Sequence, residues 1–167
     1  MNYICRYESP MGRITMASDG EYLIGLWFDS QLDSKIDQIK ECQLNELSIF
    51  VQTKEWLDIY FDGKDPGKIP PLKISTTPFR KRVWEIMLNI PYGKTMSYGQ
   101  IAKQIADERN LKAMSAQAVG GAVGHNEISI IIPCHRVMGS DGTLTGYTGG
   151  LDKKKRLLEL EKIEYKE

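Results

Sequence analysis

The sequence predicts an α+β fold, in which a small N-terminal antiparallel sheet with a helix is followed by a mainly helical C-terminal part. Three observations predict it: short apolar runs split by glycine-containing turns, a proline-rich break before residue 75, and capped helical periodicity beyond that break. Tyr3 to Tyr7, Arg13 to Ala17 and Tyr22 to Phe28 are predicted strands, separated by Ser9-Pro10-Met11-Gly12 and Ser18-Asp19-Gly20 turns. Leu47, Phe50, Leu57 and Phe61 then recur on one face of a helix ending at Asp62-Gly63. Gly63 to Ser75 carries Pro66, Gly67, Pro70 and Pro71, which places the boundary between two domains, 1–74 and 75–167, at its end.

Thr77 is a predicted N-cap with Pro78 at the first helical position, and Phe79, Val83, Ile86 and Ile90 line one side until Pro91-Tyr92-Gly93. Ser97 caps a second helix, in which Ile101 and Ile105 share a face. After the polar break Asp107 to Lys112, a third runs from about Ser115 to Gly124. Two short helices joined by a turn fit a helix-turn-helix, and they also fit a plain helical bundle. Within the third helix, Ala118-Val119-Gly120-Gly121-Ala122-Val123-Gly124 holds three glycines, each costing about 1 kcal/mol relative to alanine. Either another element packs closely there, or the low helix surface enters a narrow groove.

The 167 residues, 41% hydrophobic and 26% charged, suffice for one compact core or two small ones. Met1 to Arg6 lacks the apolar run of a signal peptide, and no stretch approaches the roughly 20 apolar residues of a membrane span, so a cytoplasmic protein without membrane attachment is expected. Cys5, Cys42 and Cys134 form no Cys-x-x-Cys pair, and only His125 and His135 accompany them. A disulfide framework or tetrahedral zinc site is therefore not expected. Net charge is zero, yet residues 1–74 hold 8 Lys+Arg against 12 Asp+Glu, and residues 75–167 hold 14 against 10. A C-terminal half that meets a polyanion fits this asymmetry, and so does chance.

The chemistry lies in Asn126 to Val137. Ile128 to Ile132 reads as a buried strand, and Pro133 cannot continue a ladder, so Cys134 sits where the backbone leaves the sheet. Buried cysteines are common in cores, but few core positions border a histidine and an arginine. A thiol near its ordinary pKa is only a few per cent thiolate at neutral pH, and His135 is the nearest base. In an extended strand adjacent side chains point to opposite faces, so cooperation of the two requires a turn here or a bridging water. The last helix, Leu151 to Lys162, supplies carboxylates that could orient the imidazole.

Pro133-Cys134-His135-Arg136-Val137, with Ala118-Val119-Gly120-Gly121-Ala122 upstream and Gly146-Tyr147-Thr148-Gly149-Gly150-Leu151 downstream, resembles the methylated-DNA–protein-cysteine methyltransferases, or O6-alkylguanine-DNA alkyltransferases. The likeness runs from about Thr77 to Glu161; the N-terminal third shares only length and general pattern. It implies a winged helix-turn-helix, with Met138 to Thr145 as the wing. It further implies Cys134 as alkyl acceptor, His135 taking the proton through a water, Glu161 holding the imidazole, Asn126 bracing the network, and Tyr98 donating to the purine. Val123, Val137, Tyr147 and Thr148 would bound the base. Gln117, Ala118, Gly121, Arg136 and Ser140 would meet the duplex. The implied partner is double-stranded DNA carrying alkylated bases, read by a monomer with no obligatory protein partner and no cofactor.

Two positions depart from the commoner pattern of that family. Gln117 stands where an arginine usually fills the gap left by the flipped base, which bears on base extrusion; Glu127 stands for a proline after Asn126, which predicts a looser turn into the active-site strand. Two other classes remain open on residues alone: a cysteine hydrolase using Cys134 and His135, and a non-catalytic binder of alkylated DNA. Turnover would mark the first, and the binding-only relatives lack the cysteine.

Overall fold

The structure, a computed structural model, describes residues 2–31, 47–147 and 150–166. The chain packs into two compact units: Met1–Ser75 together with Glu127–Ile131, and Thr76–Asn126 together with Ile132–Glu167. In the first unit, β1 (Tyr3–Ser9), β2 (Gly12–Ser18) and β3 (Leu23–Phe28) form an antiparallel meander. The first turn closes because Gly12 takes φ 105°, a region side chains avoid, while Ser9 Oγ donates to the Gly12 carbonyl at 2.6 Å. α1 (Ser48–Phe61) buries Ile49, Phe50, Trp56, Leu57 and Tyr60. Leu47, expected inside the helix, is instead its N-cap, so the apolar stripe starts at Ile49 and Phe50 and runs through Leu57 to Tyr60. Tyr7 of β1 donates to Asp58 of α1 at 2.6 Å and stacks on Phe61.

The second unit is built from α2 (Pro78–Leu88), β4 (Met96–Ser97), α3 (Tyr98–Glu108), α4 (Ala116–Gly124), β5 (Val137–Met138) and α5 (Leu151–Leu160). Its helix starts follow their sequence signals. Thr77 accepts from Arg80 N with Pro78 at the first position, Ser97 and Gln100 form a reciprocal capping box, and Ser115 accepts from Ala118 N. α4 packs on both α2 and α3, and Trp84 Nε1 of α2 donates to the Ala122 carbonyl at 2.8 Å. β4 and β5 pair in parallel, Met96 opposite Val137, which ties the start of α3 to the segment after Cys134. The loop beyond β5 closes on itself through Gly139 N to Thr143 O at 3.0 Å, and Lys166 N donates to Gly142 O. Among the described residues, no helix is long and apolar enough to cross a membrane.

The strand expected over Ile128 to Ile132 is corrected by the structure. Those residues are buried, but only Ile128 bridges to Leu26 of β3; the chain then turns, with Ile131 N bonded to Ser129 O and Ile130 at φ 70°. A β-branched residue in the left-handed region is strained. Strand propensity expresses fit to a half-buried pleated surface, and here burial is reached by a folded turn instead.

Candidate active site

Pro133 leads into a single 3-10 turn, Cys134–Arg136, in which Arg136 N donates to Pro133 O at 2.9 Å. This supplies the helical start that the alternation argument required, because successive residues no longer point to opposite faces. α5 packs on the turn, and Cys134 and His135 are both buried.

His135 Nε2 donates to Glu161 Oε2 at 2.5 Å. The carboxylate receives two further donors on Oε1: Arg136 Nε at 2.8 Å and the backbone N–H of Gly93 at 3.0 Å. Gly93 has φ 79°, so glycine suits the turn that aims its N–H at Glu161. Glu161 itself is the C-cap residue of α5. Burial lowers the pKa of His135, and the Glu161 hydrogen bond and charge only partly oppose it, so the ring is neutral near pH 7. With Nε2 carrying the proton towards the carboxylate, Nδ1 presents the lone pair that a proton acceptor needs.

Burial also pushes the Cys134 thiol up; hydrogen bonds with Asn126 and Tyr147 and the charge of Lys154 pull the other way without cancelling it. Asn126 is held in turn, its Nδ2 donating to Ile132 O at 2.8 Å and its N–H to Val123 O. Tyr98, the first residue of α3, shares a 2.6 Å hydrogen bond with Thr145 Oγ1. Lys154 completes this side: fully buried, it donates to Val137 O at 2.9 Å and to Thr145 Oγ1 at 3.3 Å. Burial pushes its pKa down to about 8. Lys154 was not among the residues expected at the site. Its signal was present in the sequence, since Lys154, Leu157, Leu158 and Glu161 fall on one helical face, and a lysine within such a stripe is a buried charge seeking acceptors.

The remaining expected residues divide by exposure. Val123 and Val137 are buried and Tyr147 is partly so; Thr148 lies outside the described residues, as does Cys42. Gln117, Ala118 and Gly121 are exposed on α4, and Ser140 is exposed in the loop after β5. Arg136 requires a correction. It was expected at the duplex, but it is 7% exposed, with Nε on Glu161, Nη1 on Ile90 O at 2.7 Å and the guanidinium over the Tyr92 ring. A carboxylate and a carbonyl inside the unit are the partners that draw it inward. The glycines of α4 meet little within the protein: a Cβ at Gly121 or Gly124 would have nothing within 4 Å, and at Gly120 it would make ordinary contact with Tyr98. Close internal packing therefore does not account for them. Among the described residues no group of three His, Cys, Asp or Glu could hold a metal.

A buried thiol beside a neutral histidine locked onto a carboxylate defines a cysteine-nucleophile site in an α+β protein. The ribonuclease-like domain of 6-O-methylguanine DNA methyltransferase matches residues 2–70, and the DNA binding domain of that protein matches 78–163. The methylated-DNA–protein-cysteine methyltransferase of Haemophilus influenzae is 42% identical over 164 residues, covering 98% of this chain and 88% of that relative. The protein of the same name from Mycobacterium tuberculosis is 41% identical, covering 93% of this chain and 89% of its own length. The crystal structure of Mycobacterium tuberculosis OGT in complex with DNA matches with a TM-score of 0.81 at 39% identity, over 96% of this chain and 92% of that one. The chain belongs to the methylated-DNA–protein-cysteine methyltransferase family.

Proposed function

We propose that this chain repairs DNA by moving the alkyl group of O6-alkylguanine, and of O4-alkylthymine, onto Cys134, once per molecule and without a cofactor. The observation that carries this reading is the setting of Cys134: a buried thiol bonded to Asn126 and Tyr147, beside the His135–Glu161 pair. The thiol proton passes to His135 Nδ1, through a water where the two do not touch. The sulfur then takes the alkyl carbon, and the C–O bond breaks with its electrons left on the base oxygen. Tyr98 hydrogen-bonds the departing base, and burial keeps that tyrosine a protonated donor by raising its pKa. The product is a thioether, so no ordinary step restores the thiol.

The reacting oxygen of a paired base is hidden in the duplex, and the nucleotide must be flipped out at a cost of a few kcal/mol. The exposed Gln117, Ala118 and Gly121 of α4 suit a minor-groove approach, where a low surface and an inserted side chain are required. All the groups invoked come from a single chain, so a monomer suffices.

The test mixes the protein with duplex DNA containing one O6-methylguanine and weighs both. One methyl group should leave the DNA and appear on the Cys134 peptide, with no second turnover. Cys134→Ser should abolish transfer while Cys5→Ser retains it. A methyl group on another cysteine, or repeated turnover, overturns the assignment.

A further inference from the structure

The segment Glu127–Ile131 belongs to the first unit, although it lies between Asn126 and Ile132 of the second. It is a short closed loop. Its neck is the 2.8 Å hydrogen bond from Asn126 Nδ2 to Ile132 O, and Cys134 follows two residues later, its own N–H donating back to Ile132 O at 2.8 Å. Its start is fastened to β3 by the backbone: Leu26 N donates to Glu127 O at 2.9 Å and Ser129 N to Leu26 O at 3.0 Å. One side chain adds a further tie, because Trp27 Nε1 donates to Glu127 Oε2 at 2.8 Å.

The indole is given room to make that bond. Gly25 stands two residues before Trp27 on the same face of β3, and a Cβ there would lie 2.0 Å from the indole ring. Trp27 is itself buried, in a cluster with Ile4 and Ala17. Its N–H thus points in a fixed direction, and Glu127 supplies the acceptor. Downstream of the tie, Ile130 is held in the left-handed region, a conformation that relaxes unless neighbouring contacts enforce it. The looser turn expected from the absence of proline is therefore not what Glu127 produces. A side-chain tether restrains the same turn.

We infer that Glu127 is a positioning residue for the nucleophile, its bond to Trp27 fixing the orientation in which Asn126 meets Cys134; the inference rests on the alkyl-transfer reading above. Asn126 is adjacent to Glu127 in the chain and is one of the two side chains whose hydrogen bonds draw the Cys134 thiol towards ionisation. Losing the tether at Glu127 loosens the peptide that carries Asn126, leaving its bonds to Ile132 O and Val123 O to hold it alone, and the thiol then ionises at higher pH.

The experiment measures two pH profiles on the full chain: single-turnover methyl transfer, and carboxamidomethylation of Cys134 by iodoacetamide, located by peptide mass. Urea unfolding is measured alongside. Glu127→Ala and Trp27→Phe should each move both profiles to higher pH and slow transfer at neutral pH roughly fivefold, the size of one lost hydrogen bond. The double variant should be no worse than either single one, since both remove the same bond. Glu127→Gln, whose amide oxygen still accepts the indole proton, should recover most of both. Unmoved profiles in Glu127→Ala, additive effects in the double variant, or a lowered urea midpoint with unchanged profiles would each overturn the inference. If the wild type ionises as described in the iodoacetamide profile but transfers no methyl group, it is the alkyl-transfer reading that fails, and the positioning of Asn126 stands on the thiol alone.

Discussion

Cys134 and the exposed face of α4 belong to the same unit and are constructed in opposite ways. Around Cys134 the charged and amide groups are tied down: Glu161 accepts three donors, Asn126 bridges to Ile132, and Lys154 donates to Val137 and Thr145. On α4 the exposed positions are a glutamine, two alanines and glycines whose missing side chains would meet open space. The first region works by what is present and the second by what is absent. Deleting a group should therefore injure the first, and adding one should injure the second.

The largest effect is expected from Glu161→Gln. Glu161 raises the proton affinity of His135 against the lowering effect of burial, so its loss leaves a poorer acceptor for a thiol whose own pKa is already raised. Transfer at neutral pH should slow about a hundredfold and climb more steeply as pH rises. An unchanged rate and pH profile would remove Glu161 from the network.

Gly121→Leu probes the other construction. It improves helix propensity and finds nothing within 4 Å of its first atom, so the fold should hold. Affinity for duplex DNA should fall about tenfold, as it does when an extra side chain is forced into a close contact, while iodoacetamide reactivity of Cys134 should not change. Unaltered DNA affinity would show that this face is not the one applied to the groove.

A smaller effect, a gain of a few-fold, is expected from Gln117→Arg. A guanidinium can stack between bases and release a phosphate counterion, and extrusion is costly only when the base starts paired. The rate should thus rise on duplex and hardly at all on single strands. Equal gains on both would make residue 117 a general electrostatic contact.

The smallest effect concerns stability. Lys154 ionises at about 8 when folded and at its ordinary 10.5 when unfolded. Between these values the unfolded chain binds more protons, so this group makes stability rise with pH; the cost of its buried charge is fully present below pH 8. From pH 8 to 9, before the raised Cys134 thiol opposes it, the wild-type urea midpoint should climb relative to Lys154→Met, by under about 1 kcal/mol in stability. A parallel pair of curves would refute the lowered pKa.

The legibility of the two regions differs for the same reason. Helix starts were readable because Thr77, Ser97 and Ser115 act through bonds three residues away, and His135 was readable because it adjoins the cysteine. Ile128 to Ile132 has the composition of a strand, which reports burial and not the left-handed turn at Ile130. The inward position of Arg136 is not legible from its neighbours, because its partners, Ile90 and Glu161, lie far away in sequence. The burial of Lys154 is legible in its helical position, on the face of Leu157 and Leu158.

Two buried charged groups beside the Cys134 turn are carried on one rod. Lys154 within α5 and Glu161 at its C-cap are seven residues apart, two helical turns, which brings them back to nearly the same side. Their angular agreement depends on the count of residues between them and not on which residues those are. Inserting or deleting one residue there would rotate one group away from the other by about 100°. Arg156 and Glu159, both exposed, can be exchanged for other helix formers, but that interval is a gauge whose length cannot change.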